Sequence, residues 1–292
     1  MLNNLLNEYL EYIKSVRRFS DNTVKSYKND LEQFIDFLSQ INKLNLEDVS
    51  DKIVRRFMMF LSQNGYQAKS IARKLTSVKN FYKYAFAKGK IPTNTITALR
   101  GPRVKRALPE IITQSQFDSA FESIEKENSE NSIMDLAIIE LLYGCSLRVS
   151  EVCNCKRIDV DLSIKQLRII GKGNKERIVP IGSTSSKTLS RYIESQPHFS
   201  NGFLFTTSTG KKLYSKYVYN LVNKHLSIVS EVKKKSPHIL RHSSATHMLD
   251  AGADLLAIKE ILGHSSLSTT QIYAQVSIER LKNVYKQSHP KS

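Results

Sequence analysis

A chain of 292 residues with 44 Lys plus Arg against 27 Asp plus Glu carries a formal charge of +17. That excess favours an anionic polymer as partner, nucleic acid first. No run approaches the roughly 18 apolar residues of a membrane span, the start MLNNLLNEYLEYIKSV lacks the basic head and apolar core of a secretory signal, and three cysteines cannot build a disulfide framework, so a spanning helix and a disulfide framework are not expected and a cytoplasmic protein is, with solubility or an anionic lipid as the bland readings of the charge.

Residues 1–100 read as a small helical bundle. Leu2, Leu5, Leu6, Tyr9, Leu10 and Ile13 recur at helical spacing. A break at Phe19–Asn22 follows, and Thr23 is expected to cap a second helix whose stripe is Tyr27, Leu31, Phe34, Ile35 and Leu38. A third helix is predicted over about 50–63, stopping near Asn64-Gly65, and a fourth over about 68–87, stopping at Gly89. Helices of this length need mutual packing. Lys69, Arg73, Lys74, Lys79 and Lys83 lie on their polar faces, as DNA contacts or plain solvated charge.

The segment Gly101–Pro109, GPRVKRALP, reads as a basic linker that contacts DNA, the plainer alternative being a simple flexible connection. Beyond it, residues 110–292 form a second unit. Phe117 and Phe121, then Ile133, Leu136, Ile138, Ile139, Leu141 and Leu142, predict two helices. Leu167–Ile181 changes to a strand pattern around Gly-Lys-Gly-Asn and predicts a β-hairpin. Helices then return. Pro237 opens one near His238–Leu249, Asp254 caps another over Leu255–Leu262, and Gly263 ends it.

Several residues in this second unit carry possible chemistry. His238 and Arg241 stand three apart, so they share a helix face and could reach one phosphate, while His242 and His247 point elsewhere. Arg148 follows a strongly apolar helix, with Glu151 one turn later. A buried Arg–Glu pair is the bland reading of those two. Lys172 lies in the hairpin turn. His264 follows a glycine at a helix end, and Tyr273 lies nine residues further. Cys153 and Cys155 form a C-x-C with no further ligand nearby to complete a zinc pattern. Taken singly, each is ordinary: a surface histidine, a turn lysine, a structural tyrosine.

Taken in chain order, Arg148, Lys172, His238, Arg241, His264 and Tyr273 form a pattern that resembles the tyrosine recombinases, also called phage integrases, and within them the Xer subgroup. The resemblance covers nearly the whole chain. It is strongest in LLYGCSLRVSEV, IIGKGNKERIVPIG and HILRHSSATHMLDAGADLLAIKEILGHSSLSTTQIYAQVS. It implies a two-domain fold: a mainly α N-terminal SAM-like core-DNA-binding domain at 1–100, the linker at 101–109, and a mixed α+β catalytic domain at 110–292. The catalytic domain would be mostly helical with a small β-sheet, and its C-terminal tail would contact a neighbouring subunit.

The resemblance also implies roles. Arg148 and Arg241 would hold the non-bridging oxygens of a DNA phosphate, and His264 would add a hydrogen bond. Tyr273 would be the nucleophile, with His238 accepting its proton or steering it and Lys172 protonating the departing 5′-oxygen. Glu151 matches the acidic position that supports the site. The product would be a 3′-phosphotyrosyl link. Strand exchange would pass through a Holliday junction without metal, ATP or other cofactor. Three positions depart from the common pattern: Ser146 replaces a usual Gly, Ser244 a usual aromatic, and Cys155 a usual Leu.

The implied setting is a cytoplasmic, nucleoid-associated site-specific recombinase acting on double-stranded DNA. Chromosome dimer resolution is its implied task. It would act as a homotetramer or a heterotetramer with a paralogue, with a DNA translocase as a possible activator and no membrane partner. Other readings are a phage or mobile-element integrase, a type IB topoisomerase and a non-catalytic DNA-binding protein. The target sequence is not legible, because base contacts and DNA deformability leave no motif here.

Overall fold

The computed structural model describes residues 2–43, 45–104, 110–127, 130–171, 176–196, 202–232 and 235–263. The chain divides into two compact units, Met1–Ala107 and Leu108–Ser292.

The first unit is helical: α1 (Leu2–Ser15), α2 (Asp21–Gln40), a 3₁₀ turn (Leu46–Asp48), α3 (Asp51–Gln63) and α4 (Ala68–Ala87). The apolar stripes of these helices converge on one core that buries Leu6, Tyr9, Phe34, Phe57, Phe81 and Tyr82. Phe34 meets Phe57 edge-on at 5.0 Å, and Tyr9 meets Phe81 at 5.4 Å, spacings that aromatic pairs favour. The cap of α2 is Ser20, not Thr23. Ser20 is extended, with its Oγ accepting from the Thr23 amide at 3.3 Å, and Thr23 sits inside the first turn. Both are hydroxyl residues three apart, so sequence alone favours neither.

The basic face of α4 is also not all solvated. Asp30 of α2 is only 1% exposed. It accepts from Arg73 Nη2 at 2.8 Å, Lys74 Nζ at 3.0 Å and Ser77 Oγ at 2.8 Å. A buried carboxylate needs such partners, and here they tie α2 to α4. Lys79 Nζ donates to the Leu99 carbonyl at 2.9 Å, fixing the chain that leaves α4. Lys69 and Lys83 remain exposed.

The second unit holds α5 (Gln114–Glu127), α6 (Glu130–Tyr143), α7 (Val149–Asn154), a 3₁₀ turn (Arg157–Asp159), β1 (Val160–Asp161), β2 (Gln166–Ile170), β3 (Glu176–Pro180), α8 (Ser183–Ser195), α9 (Ser215–Val229), α10 (Pro237–Asp250) and α11 (Leu255–Leu262). Helix α6 is apolar on every side and is packed by α5, α8, α9 and α10, as a central helix must be. The strands form an antiparallel sheet in the order β1-β2-β3. The hairpin read from the sequence is β2–β3, and β1 adds a short third strand that its two residues do not announce.

Polar groups in this core are partnered. His225 Nε2 lies 2.8 Å from Asp135 Oδ2. Burial pushes the Glu140 carboxyl above its ordinary range, against a bond from Ser185 Oγ at 2.5 Å. The thiols Cys145, Cys153 and Cys155 are free and buried. Among the described residues no three His, Cys, Asp or Glu side chains converge as a metal site would require.

Candidate active site

Arg148 is the residue before α7, where the chain is still extended. Glu151, one turn in, accepts the Arg148 amide on Oε2 at 2.8 Å, so the acid in the first turn closes the helix start. The same carboxylate accepts Arg148 Nη1 on Oε1 at 2.8 Å. It is also gripped by a second guanidinium: Arg177 Nη1 reaches Oε1 at 2.9 Å and Nη2 reaches Oε2 at 2.8 Å, a two-pronged pair. Arg241 Nη1 lies 3.8 Å from Oε2. Burial pushes the Glu151 carboxyl up, but the bonds from Arg177 and Arg148 outweigh it and hold it below its ordinary value.

Three guanidinium groups therefore surround one carboxylate, leaving a positive excess of two by formal charge. Arg241 and Glu151 are buried, while the Arg148 side chain is 32% exposed. The arrangement can present a fixed cationic fork to an anion arriving at Arg148.

The same three arginines also close the C-terminus of α11. Arg177 Nε donates to the Ile261 carbonyl at 3.0 Å, Arg241 Nη2 to Leu262 at 2.5 Å and Arg148 Nη2 to Gly263 at 3.2 Å. These are consecutive carbonyls of a last turn, which have no partner inside the helix and carry the negative end of its dipole. At the other end, Asp254 Oδ2 caps α11 by accepting from the Leu256 and Ala257 amides at 2.9 and 3.1 Å. Gly263 ends it with φ +59°, a left-handed value that favours glycine.

The two serines that depart from the family pattern touch one another. Ser146 Oγ lies 2.6 Å from Ser244 Oγ, and the Ser146 carbonyl accepts from Arg241 Nη1. Ser146 has φ +51°, a left-handed value that glycine adopts more readily than serine. The Ser244 hydroxyl gives the replacement a buried partner.

His238 lies exposed in the first turn of α10, with Arg241 buried one turn later on the same helix. His242 is set aside by burial, which pushes its pKa down to about 4. His247 Nδ1 lies 2.8 Å from the Tyr143 hydroxyl. Lys172, His264 and Tyr273 lie outside the described residues. The structure thus brings together Arg148, Glu151 and Arg241, and it adds Arg177, which the sequence reading missed. No sequence signal marked it, because β3 carries apolar residues at both parities, Ile178 and Val179. Arg177 pairs with Ile169 and shares the sheet face of Val179, both buried, while the intervening Ile178 is 63% exposed. A cation on the inward face of a strand needs a specific partner.

Residues 110–280 match the phage integrase family, and residues 6–89 match its N-terminal SAM-like domain. The chain belongs to the tyrosine recombinase, or phage integrase, family. A tyrosine recombinase XerC from Chlorobaculum parvum is 36% identical, with 98% of this chain and 94% of that protein covered. A tyrosine recombinase XerD from Listeria monocytogenes is 34% identical over the full length of both. Among solved structures, the XerA recombinase has a TM-score of 0.55 at 26% identity with both chains fully covered. XerH bound to a palindromic difH substrate has a TM-score of 0.77 at 21% identity, covering 94% of this chain and 82% of that one, a likeness of fold. This tyrosine recombinase is accordingly a site-specific DNA strand-exchange enzyme that works through a phosphotyrosyl intermediate. It has a helical SAM-like N-terminal domain and a mostly helical catalytic domain with a small antiparallel sheet.

Proposed function

We propose that Tyr273 is the nucleophile and that Arg148 and Arg241 hold the scissile phosphate, in an Xer-type recombinase that resolves chromosome dimers. The observation that carries the reading is the cluster of Arg148, Arg241 and Arg177 around Glu151, fixed at the end of α11 ten residues before Tyr273. Attack on a phosphodiester adds charge to its non-bridging oxygens. Guanidinium groups already held in place stabilise that charge without reorganising. In this reading His264 donates to the same oxygens and Lys172 protonates the departing 5′-oxygen. His238, exposed on α10, receives the tyrosine proton or steers the ring. Glu151 serves by orienting Arg148.

The linked phosphate keeps the energy of the broken bond, so a 5′-hydroxyl from a second duplex can reseal it without ATP or another cofactor. Two rounds give and resolve a Holliday junction. Four protomers on paired sites carry it out, either identical or two with two of a paralogue, with residues 278–292 contacting a neighbour and a DNA translocase as a possible activator. Residues 1–100 bind the core site, and 101–109 join the two domains.

The test is a duplex selected for binding to this protein, nicked beside the scissile bond so that a short fragment leaves after cleavage. Wild type should give a covalent band on a denaturing gel, and Tyr273→Phe should bind equally and give none. A band from Tyr273→Phe would remove the nucleophile assignment. Selection of a site from a phage or transfer element, rather than a chromosomal one, would favour the mobile-element role.

A further inference from the structure

We propose that Arg177 is a positioning residue for strand cleavage: it locks the sheet, α7 and the end of α11 into the one arrangement in which Arg148 and Arg241 face the phosphate. The inference rests on the functional reading above. Two independent observations support it.

The first is how its donors are used. Both Nη atoms grip Glu151 on α7, at 2.9 and 2.8 Å, and Nε grips the Ile261 carbonyl on α11, at 3.0 Å. Its side chain is 13% exposed. Three of its five N–H donors are spent on α7 and α11, so its direct work is to join those two elements. Its effect passes through Glu151, which in turn orients Arg148 by its amide and its Nη1. Lysine could keep the charge but not the three directed bonds.

The second is the shape of Gly263, the residue that caps α11. A Cβ built on Gly263 would lie 3.1 Å from Arg177 Nη1 and 3.2 Å from its Cδ and Cζ. The guanidinium rests on the bare Cα of the glycine that ends the helix. Gly263 is thus fixed twice, by its left-handed φ and by Arg177. The residues that follow it include His264 and Tyr273, so the clamp sets the point from which the nucleophile's segment departs. Arg177 is the second residue of β3, five positions after Lys172 in the chain. A single side chain ties the hairpin to the helix that leads to the nucleophile.

The test uses the full chain, the selected nicked duplex, and single-turnover cleavage by wild type, Arg177→Ala, Arg177→Lys and Gly263→Ala. Binding and thermal melting are measured alongside. Each variant should bind the duplex nearly as wild type does and cleave roughly 10- to 100-fold more slowly, the loss expected from misplacing reacting groups. The decisive readout is a second duplex with a methylphosphonate at the scissile position. This lacks the charged non-bridging oxygen, so guanidinium placement matters less, and the gap between wild type and Arg177→Ala should shrink toward parity. A merely structural role would leave the gap equal on both substrates and would overturn the inference, as would unfolding of all three variants. No covalent complex from wild type on a duplex it binds would instead remove the functional reading, and this inference with it.

Discussion

Glu151→Ala is the sharpest perturbation of the site's architecture. The carboxylate is 5% exposed and accepts four hydrogen bonds, two from Arg148 and two from Arg177. Its removal takes away the carboxylate that Arg177, 13% exposed, grips with both Nη atoms and that lies 3.8 Å from Arg241, 6% exposed. Breaking a buried pair in this way costs about 3–5 kcal/mol. Arg148 is a third exposed and rehydrates, which places the loss near the lower end. At about 2–4 °C per kcal/mol for a domain of this size, the catalytic domain should melt about 6–12 °C lower. Glu151→Gln keeps the shape and one acceptor but no charge, and should fall between. The pH dependence has a definite sign. The folded carboxyl is held below its ordinary value of 4.5, so its stabilisation is complete above that value and is lost as pH falls through the folded value. The gap between wild type and Glu151→Gln should therefore narrow below about pH 4.5. Calorimetry on the DNA-free protein measures both effects. An unchanged midpoint for Glu151→Ala at neutral pH would refute the argument, since it would mean that the arginines do not depend on the carboxylate.

Two further outcomes are expected elsewhere. Asp30→Ala strips the counter-charge from Lys74, which is 6% exposed, and should lower the urea midpoint of the helical domain by the equivalent of about 3 kcal/mol; a neutral substitution would show that α2 and α4 hold without the ion pair. His242, pushed down to about 4 by burial, titrates in the unfolded chain near its ordinary 6.5, so wild type should lose stability as pH falls from about 6.5 to about 4, because only the unfolded state takes up the proton there. His242→Gln should flatten that slope, and equal slopes in paired denaturation curves would sink the assignment.

Much of this molecule could be read from its residues. The boundaries of α3 and α4 follow from Gly65 and Gly89, and α11 announces both ends through Asp254 and Gly263. Helical periodicity and end residues act locally, so a sequence displays them. Arg148, Glu151 and Arg241 were ordinary taken singly and were singled out by the resemblance to the tyrosine recombinases, and the fold brings them together. Other features needed the third dimension. The β1 strand exists because it pairs with β2 and not through any preference of its own two residues. Lys74 and Arg73 read as surface charge until Asp30, more than forty residues away, was placed beneath them. Arg177 sits in a hairpin whose outer face shows Ile178, an inversion of the usual alternation. Only the register with Ile169 reveals which face is inward.

The grip of three arginines on three consecutive carbonyls has a consequence for how this chain can vary through descent. Substitutions on the outer face of α11, where Leu256 is 57% exposed, leave the clamp intact. A change in the helix's length does not. Inserting or deleting one residue between Asp254 and Gly263 would turn the last turn by about 100° and move it by about 1.5 Å along the axis. All three carbonyls would leave their arginines together, since those arginines stand just before α7, on β3 and on α10 and cannot follow. Lineages of this protein should accordingly tolerate changes of letter in α11 far better than changes of count.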